Sequence, residues 1–264
     1  MSLIPKFYKD AVVSIGLRNA DNTISWIGTG FFVLRKIDEN QGKPFLVTNK
    51  HVMEGHDSII IRMKEKESDN LKIMDESTKN GDTILYAIHD NPNIDIAVLP
   101  LDGNVIIQNN LEFPCFDIDN NALSSKELRA SGVDEGTLVY MLGFTMGKVN
   151  HASGDPICRL GCIARINEAQ IQEEQNILID IQNFPGNSGS PIINKPEIIS
   201  IEGTPNLNRS VLVGIIHSYL PYEDKLISAQ TKKVVEIRTE NSGLAYAHPV
   251  EYITEIIDKV VPKM

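Results

Sequence analysis

Short apolar runs broken by turn residues recur along the 264-residue chain. Their β-branched content and length predict strands rather than helices. The first half holds Ala11–Ile15, Gly30–Leu34, Phe45–Thr48, Ile59–Ile61, Thr83–Ile88 and Ile96–Leu99. The second half holds Leu138–Gly143, Cys158–Ala164, Ile177–Ile181, Ile192–Ile193, Val211–Ile216 and Leu244–Ala247. So many short strands with few helices between them predict an all-β barrel or sandwich. Two segments depart from this pattern. Leu123–Ala130, with Ser124 or Ser125 as cap, reads as a short helix at the midpoint, beside the linker-like Phe113-Pro114 and Asp117–Asn121. Val250, Ile253, Ile256, Ile257 and Val260 follow helical spacing behind Pro249, predicting a terminal amphipathic helix that packs on a barrel. Residues 221–242 are polar and read as a surface insertion or hairpin.

Composition narrows the class without naming a chemistry. Hydrophobic residues make up 42% and charged residues 23%, ordinary values for a soluble globular protein. A formal charge of -10 argues against a nucleic-acid backbone as the main partner. The Met1–Phe7 segment shows no signal-peptide pattern, and no run approaches a membrane span, which predicts a soluble, cytoplasmic protein. The odd count of 3 cysteines disfavours a disulfide framework, and Cys158 and Cys162 have no histidine nearby to complete a zinc site. No cofactor or metal is implied, since no dense carboxylate loop or His/Cys cluster occurs.

One stretch carries chemical promise. Asn183-Phe184-Pro185-Gly186-Asn187-Ser188-Gly189-Ser190-Pro191 lies between two strand-like runs. Glycines on both sides of Ser188 permit a left-handed backbone there. Such a turn can lift a hydroxyl out of a sheet while aiming backbone N–H groups at one point, as acyl transfer requires. An ordinary polar hairpin loop has the same composition. A nucleophile needs a base and an acid. Of the six histidines, His51 sits at the end of the Phe45–Thr48 strand. His56, His89 and His151 read as loop residues, and His248 precedes a helix. Asp95 stands at the mouth of the apolar Ile96–Leu99 run, where an unpaired charge would be costly. Asp180 has similar flanks, but it can simply point outward from an alternating strand.

His51, Asp95 and Ser188 fall in the His…Asp…Ser order. Several segments resemble the chymotrypsin-like (trypsin-fold) serine peptidases in register. These are Thr29-Gly30-Phe31-Phe32-Val33, Leu46-Val47-Thr48-Asn49-Lys50-His51-Val52, Asn93-Ile94-Asp95-Ile96-Ala97-Val98-Leu99, Gly186-Asn187-Ser188-Gly189-Ser190-Pro191 and Gly214-Ile215-Ile216. The serine segment has the Gly-Asn-Ser-Gly form of bacterial members. The resemblance implies two six-stranded antiparallel β-barrels with a C-terminal α-helix, residues 1–120 carrying His51 and Asp95 and residues 121–264 carrying Ser188. It implies a serine endopeptidase acting on a protein or peptide substrate. Ser188 would be the nucleophile, His51 the base and Asp95 its orienting acid, with the N–H groups of Gly186 and Ser188 as oxyanion hole. Two other classes stay open: a catalytically idle trypsin-fold binding module, and a protease gated by a partner in trans.

The chain departs from the family in three places. Asn49-Lys50 stands where many animal members have Ala-Ala. Asn187 replaces the aspartate that pairs with a newly cut N-terminus in secreted members, and no activation cleavage sequence precedes it. Direct folding into a competent site is therefore expected. By resemblance, Gln182 and Asn183 form the base of the specificity pocket and His217-Ser218-Tyr219 one wall. The lack of Asp at 182 disfavours cleavage after Arg or Lys. His217 invites comparison with the pocket histidine of glutamyl endopeptidases and viral cysteine proteases, but Gly214-Ile215-Ile216-His217 is one residue longer than their Gly-Ile-His. A one-residue shift reverses the face of a strand. Without a bulge His217 points at Asp95, and both roles stay open.

Overall fold

The computed structural model describes residues 4–39, 41–68, 70–150, 152–197 and 203–261. His151 lies outside them. Among the described residues sixteen strands carry the fold. The first half contributes β1 (Val12–Arg18), β2 (Ile24–Lys36), β3 (Gly42–Thr48), β4 (Ser58–Lys64) and β5 (Leu71–Ser77). The shorter β6 (Lys79–Asn80), β7 (Thr83–Ile84), β8 (Ala87–Ile88), β9 (Ala97–Pro100) and β10 (Phe116–Asp117) follow. The second half contributes β11 (Leu138–Gly143), β12 (Ile157–Arg165), β13 (Ile177–Asp180), β14 (Pro191–Asn194), β15 (Leu212–Ile227) and β16 (Val234–Pro249). Short helices punctuate them: α1 (Lys6–Asp10), α2 (Lys50–Met53), α3 (Gly103–Gln108), α4 (Ser125–Ala130), α5 (Glu168–Glu174) and α6 (Val250–Val260).

The all-β architecture with a terminal helix matches the expectation. β11-β12-β13-β16-β15-β14 close a six-stranded barrel. The first half forms an eight-stranded sheet in the order β5-β4-β1-β2-β3-β9-β8, with β10 added in parallel beside β2. Details differ where local pattern competed with long-range pairing. The run Thr83–Ile88 splits between β7, paired with β6, and β8, paired with β9. The polar segment 221–242 is a hairpin that prolongs β15 and β16, from Pro221 paired with Asn241 to Ile227 paired with Val234.

Inward residues of each half build their own cluster. Val139, Met141, Ile163, Ile179, Ile192 and Val213 fill the barrel. Ile15, Leu46, Ile59, Ile61 and Leu99 fill one side of the first sheet. A third cluster joins Phe31, Val47 and Ile96 to Leu142, Ile215 and Ile253, so the two halves and α6 share one buried seam. Burial at about 25 cal/mol per Å² of apolar surface makes this seam the main adhesive between them. Val250, Ile253, Ile256 and Ile257 of α6 are buried as their spacing predicts, whereas Val260 at its end is exposed.

Candidate active site

Antiparallel pairing of β3 with β9, ending at Thr48 opposite Ala97, brings the segment after Thr48 beside the segment before Ala97. The chain turns after Thr48 into α2, whose Val52 and Met53 are buried and whose His51 faces solvent. Asn49 is fully buried and its Nδ2 donates to the Asp95 carbonyl at 2.7 Å. That bond gives the Asn49 departure a structural purpose: it staples the histidine turn to the aspartate segment. Ile94 and Ile96 are buried on either side of Asp95 and hold its backbone rigidly.

The Asp95 carboxylate takes two hydrogen bonds from one residue. The His51 N–H donates to Oδ1 at 3.0 Å, and Nδ1 lies 2.5 Å from Oδ2. A carboxylate only accepts, so Nδ1 carries the proton of this bond. Burial works against ionising Asp95, but the His51 side-chain bond, its charge and the His51 N–H outweigh burial and hold the carboxyl below the usual aspartate range.

The serine loop connects β13 to β14. Gly186 and Gly189 adopt φ of +92° and +87°, the left-handed conformations their sequence permits. At Gly189 a side chain would strike the Thr29 carbonyl and the Thr48 hydroxyl, so the loop lies directly on β2 and β3. Thr29 is the clamp. Its N–H donates to the Ser188 carbonyl at 2.9 Å and its hydroxyl to the Gly186 carbonyl at 2.7 Å. On the barrel side Gly189 N–H reaches the Ile216 carbonyl at 3.0 Å, and Ile216 N–H reaches Ser190 at 2.9 Å. The loop is thereby pinned across the seam to β2 and within its own barrel to β15. With the carbonyls of Gly186 and Ser188 drawn toward Thr29, the N–H groups of the same two residues donate to nothing among the described residues. Ser188 is partly exposed, and its carbonyl lies 3.4 Å from where a side chain at Gly28 would begin, a point 2.9 Å from Val52. The serine loop therefore sits next to the helix that carries His51.

Asn187 is 1% exposed and accepts the Thr145 hydroxyl at 2.8 Å. A neutral side-chain bond occupies the place where secreted relatives use a charge pair. The alternative acid Asp180 points outward and is exposed.

His217 lies within a bulge, where β15 against β16 shifts register between Ile216 and Ser218. Contrary to the expectation that a bulge would turn it to the pocket, its ring stays on the Asp95 side. Its ring stacks on His248 at 4.0 Å and 9°, and Nε2 meets Asn176 Oδ1 at 2.7 Å. Burial first, then the His248 ring, push its pKa down to about 3 against the attraction of Asp95, so the ring is neutral at working pH. Nε2 therefore donates to Asn176. Its contacts place His217 with the Asp95 cluster. His248, which the sequence offered only as a helix-start residue, accepts the Asp95 N–H at Nε2 over 2.9 Å and bonds Gln175 O through Nδ1 at 2.8 Å. No local pattern marks this role, because the partners are 153 and 73 residues away.

At the other end of the loop, Asn183 is buried and its Nδ2 donates to the Ser218 carbonyl at 3.0 Å, while Gln182 and Tyr219 are exposed. Arg159 donates to the Gln182 carbonyl at 3.2 Å and covers the Phe184 ring at 5.1 Å. No local sequence pattern singles out Arg159.

The chain matches a family model described as a trypsin-like peptidase domain over residues 28–197. No curated protein gives a significant match. Among solved structures, HL collagenase is 14% identical with a TM-score of 0.53, covering 98% of this chain and 96% of that one. The apo MamO protease domain from Magnetospirillum magneticum is 15% identical with a TM-score of 0.46, covering 94% and 95%. At such identity the collagenase likeness speaks to the fold alone. The family match spans the histidine, aspartate and serine segments together, and the chain belongs to the family of trypsin-like peptidase domains.

Proposed function

We propose that the chain is a serine endopeptidase working through His51, Asp95 and Ser188. Family membership implies a protein or peptide substrate. The observation that carries the finer reading is the 2.5 Å His51–Asp95 contact beside a serine loop with two unengaged N–H groups. In this reading Ser188 Oγ attacks the peptide carbonyl and His51 Nε2 takes its proton, later returning it to the leaving amine. Asp95 holds the tautomer and stabilises the imidazolium. The Gly186 and Ser188 N–H groups meet the developing oxyanion, each contributing about 3 kcal/mol to the transition state. Gln182, Asn183, Ser218 and Tyr219 form the substrate-binding walls, and His217 positions Asp95 instead of reading substrate. The same proposal divides the chain between residues 120 and 121 and places the protein in the cytoplasm, without a partner for gating.

Labelling with a fluorophosphonate tests this directly. The purified chain takes the label without being cut, and Ser188→Ala takes none. Equal labelling of both proteins, or labelling only after proteolytic clipping, contradicts the assignment.

A further inference from the structure

Asp95 is held at both of its backbone polar groups by side chains from distant parts of the chain. Its carbonyl accepts from Asn49 Nδ2 at 2.7 Å, and its N–H donates to His248 Nε2 at 2.9 Å. Asn49 follows β3 in the first half, whereas His248 lies near the end of β16 in the barrel, so one short segment is gripped from both sides of the seam. The His248 ring has a single form that fits. Gln175 offers Nδ1 a carbonyl at 2.8 Å, so Nδ1 carries the proton; Asp95 offers Nε2 an N–H, so Nε2 keeps its lone pair. An imidazolium would set a second N–H head-on against that of Asp95. Burial, the largest influence, and the nearby His89 lower the His248 pKa against the pull of the Gln175 carbonyl and the Asp95 carboxylate. The plane of the ring is fixed as well. His217 stacks on it at 4.0 Å and 9°, and the Tyr252 ring of α6 meets it edge-on at 6.2 Å and 66°.

We propose that His248 is a positioning residue for the reaction: by holding the Asp95 N–H, its neutral ring fixes the carboxylate that orients His51. As a statement about turnover this rests on the serine endopeptidase reading. The carboxylate meets His51 at two points, the N–H at 3.0 Å and Nδ1 at 2.5 Å, and contacts this close tolerate little rotation of the Asp95 backbone. The Asp95 N–H faces a ring that is only 1% exposed, so without that ring it has no acceptor in reach. A buried N–H left unpaired is costly, and the backbone turns to find another partner. That turn carries the carboxylate away from Nδ1. A misplacement of about 1 Å in a catalytic constellation lowers the rate on the order of 100-fold.

Two variants of the full chain test this. His248→Phe keeps a ring for His217 to stack on but has no acceptor; His248→Gln returns an acceptor, its amide oxygen, at about the reach of Nε2. In peptide cleavage kcat is expected to fall about 100-fold in His248→Phe with KM unchanged, and to stand at least about 10-fold higher in His248→Gln. Proton NMR supplies a readout that needs no turnover. The His51 Nδ1 proton, in its short bond to Asp95, is expected far downfield in the parent, at the same place in His248→Gln, and shifted or lost in His248→Phe. A His248→Phe protein with the parent's kcat and the parent's resonance overturns the proposal. Equal losses in the two variants, with near-ultraviolet circular dichroism like the parent's, assign His248 to packing and overturn it too. If His248→Phe does not fold, His248→Gln decides alone: loss of the downfield proton there sinks the proposal, and its retention upholds it. A parent chain that takes no fluorophosphonate and cuts no peptide overturns the endopeptidase reading, while the resonance still decides whether His248 sets Asp95 against His51.

Discussion

At the scale of single residues, the site is governed by which buried groups carry charge and which do not. Asn187 is buried against the Thr145 hydroxyl, with no cation bonded to it among the described residues. Asn187→Asp therefore buries an unpaired carboxylate, and we expect a loss of roughly 3 kcal/mol in denaturant-induced unfolding. A stability equal to the parent's would mean a cation reaches that position. His217 gives a pH prediction of definite sign. In the unfolded chain it binds a proton near the ordinary histidine value, but in the folded protein only near pH 3. Between those limits the unfolded state holds more protons, so stability falls as pH falls. Replacing it in His217→Gln should flatten the dependence between pH 4 and 6 by roughly 1.4 kcal/mol per pH unit. Identical slopes in the two proteins would show that the ring is protonated in place. Asp95 acts lower on the scale: its contribution is present above the ordinary aspartate range and is lost as pH falls through its depressed folded value.

At the scale of elements, legibility tracked burial. α4 was readable because Ser124 and Glu127 form a capping box, each side chain satisfying the other's backbone, and α6 because its buried residues recur at helical spacing. α3 has no buried residue and α5 only Gln170 and Ile171, so neither offers an apolar stripe to read. β5 escaped for the same reason, with no fully buried residue in its pattern. The β15–β16 hairpin beyond Pro221 is a ribbon whose Tyr222, Ile227, Val235 and Ile237 are exposed and whose strands, among the described residues, pair there only with each other. Replacing residues 222–240 by an Asn-Gly turn between the paired Pro221 and Asn241 should shift Tm by no more than about 3 °C. A collapse of the melting transition would show that the ribbon braces the barrel.

At the scale of the whole molecule, the two halves are held by the shared apolar seam, by Thr29 and by one buried cation. Arg35, 1% exposed on β2, bonds Asp119 at 2.7 Å in the connection after β10 and Asp258 at 2.5 Å on α6. Arg35→Met removes the cation that the two carboxylates share, while Asp119 keeps the Lys36 N–H at 3.2 Å. Because both retain some contact with water, we expect a loss of roughly 3 kcal/mol, at the lower end for a broken buried pair, measured as a shift in denaturant midpoint. An unchanged midpoint would assign the seam's strength to its apolar part alone.

The amino-acid sequence by itself determined what neighbours along the chain can determine: strand-forming runs, the capped helices, the glycines that let the Ser188 turn form, and the polar residues stranded at strand ends. Those properties depend on backbone conformation and on periodicity, which are local. Only the tertiary structure decided which distant groups share a partner. The bulge that seats His217 against His248, the Asp95 N–H resting on a ring 153 residues away, and Arg159 beneath Gln182 all depend on strand register and on two halves meeting. Register is set by the packing of many side chains at once, so no single stretch of the sequence contains it.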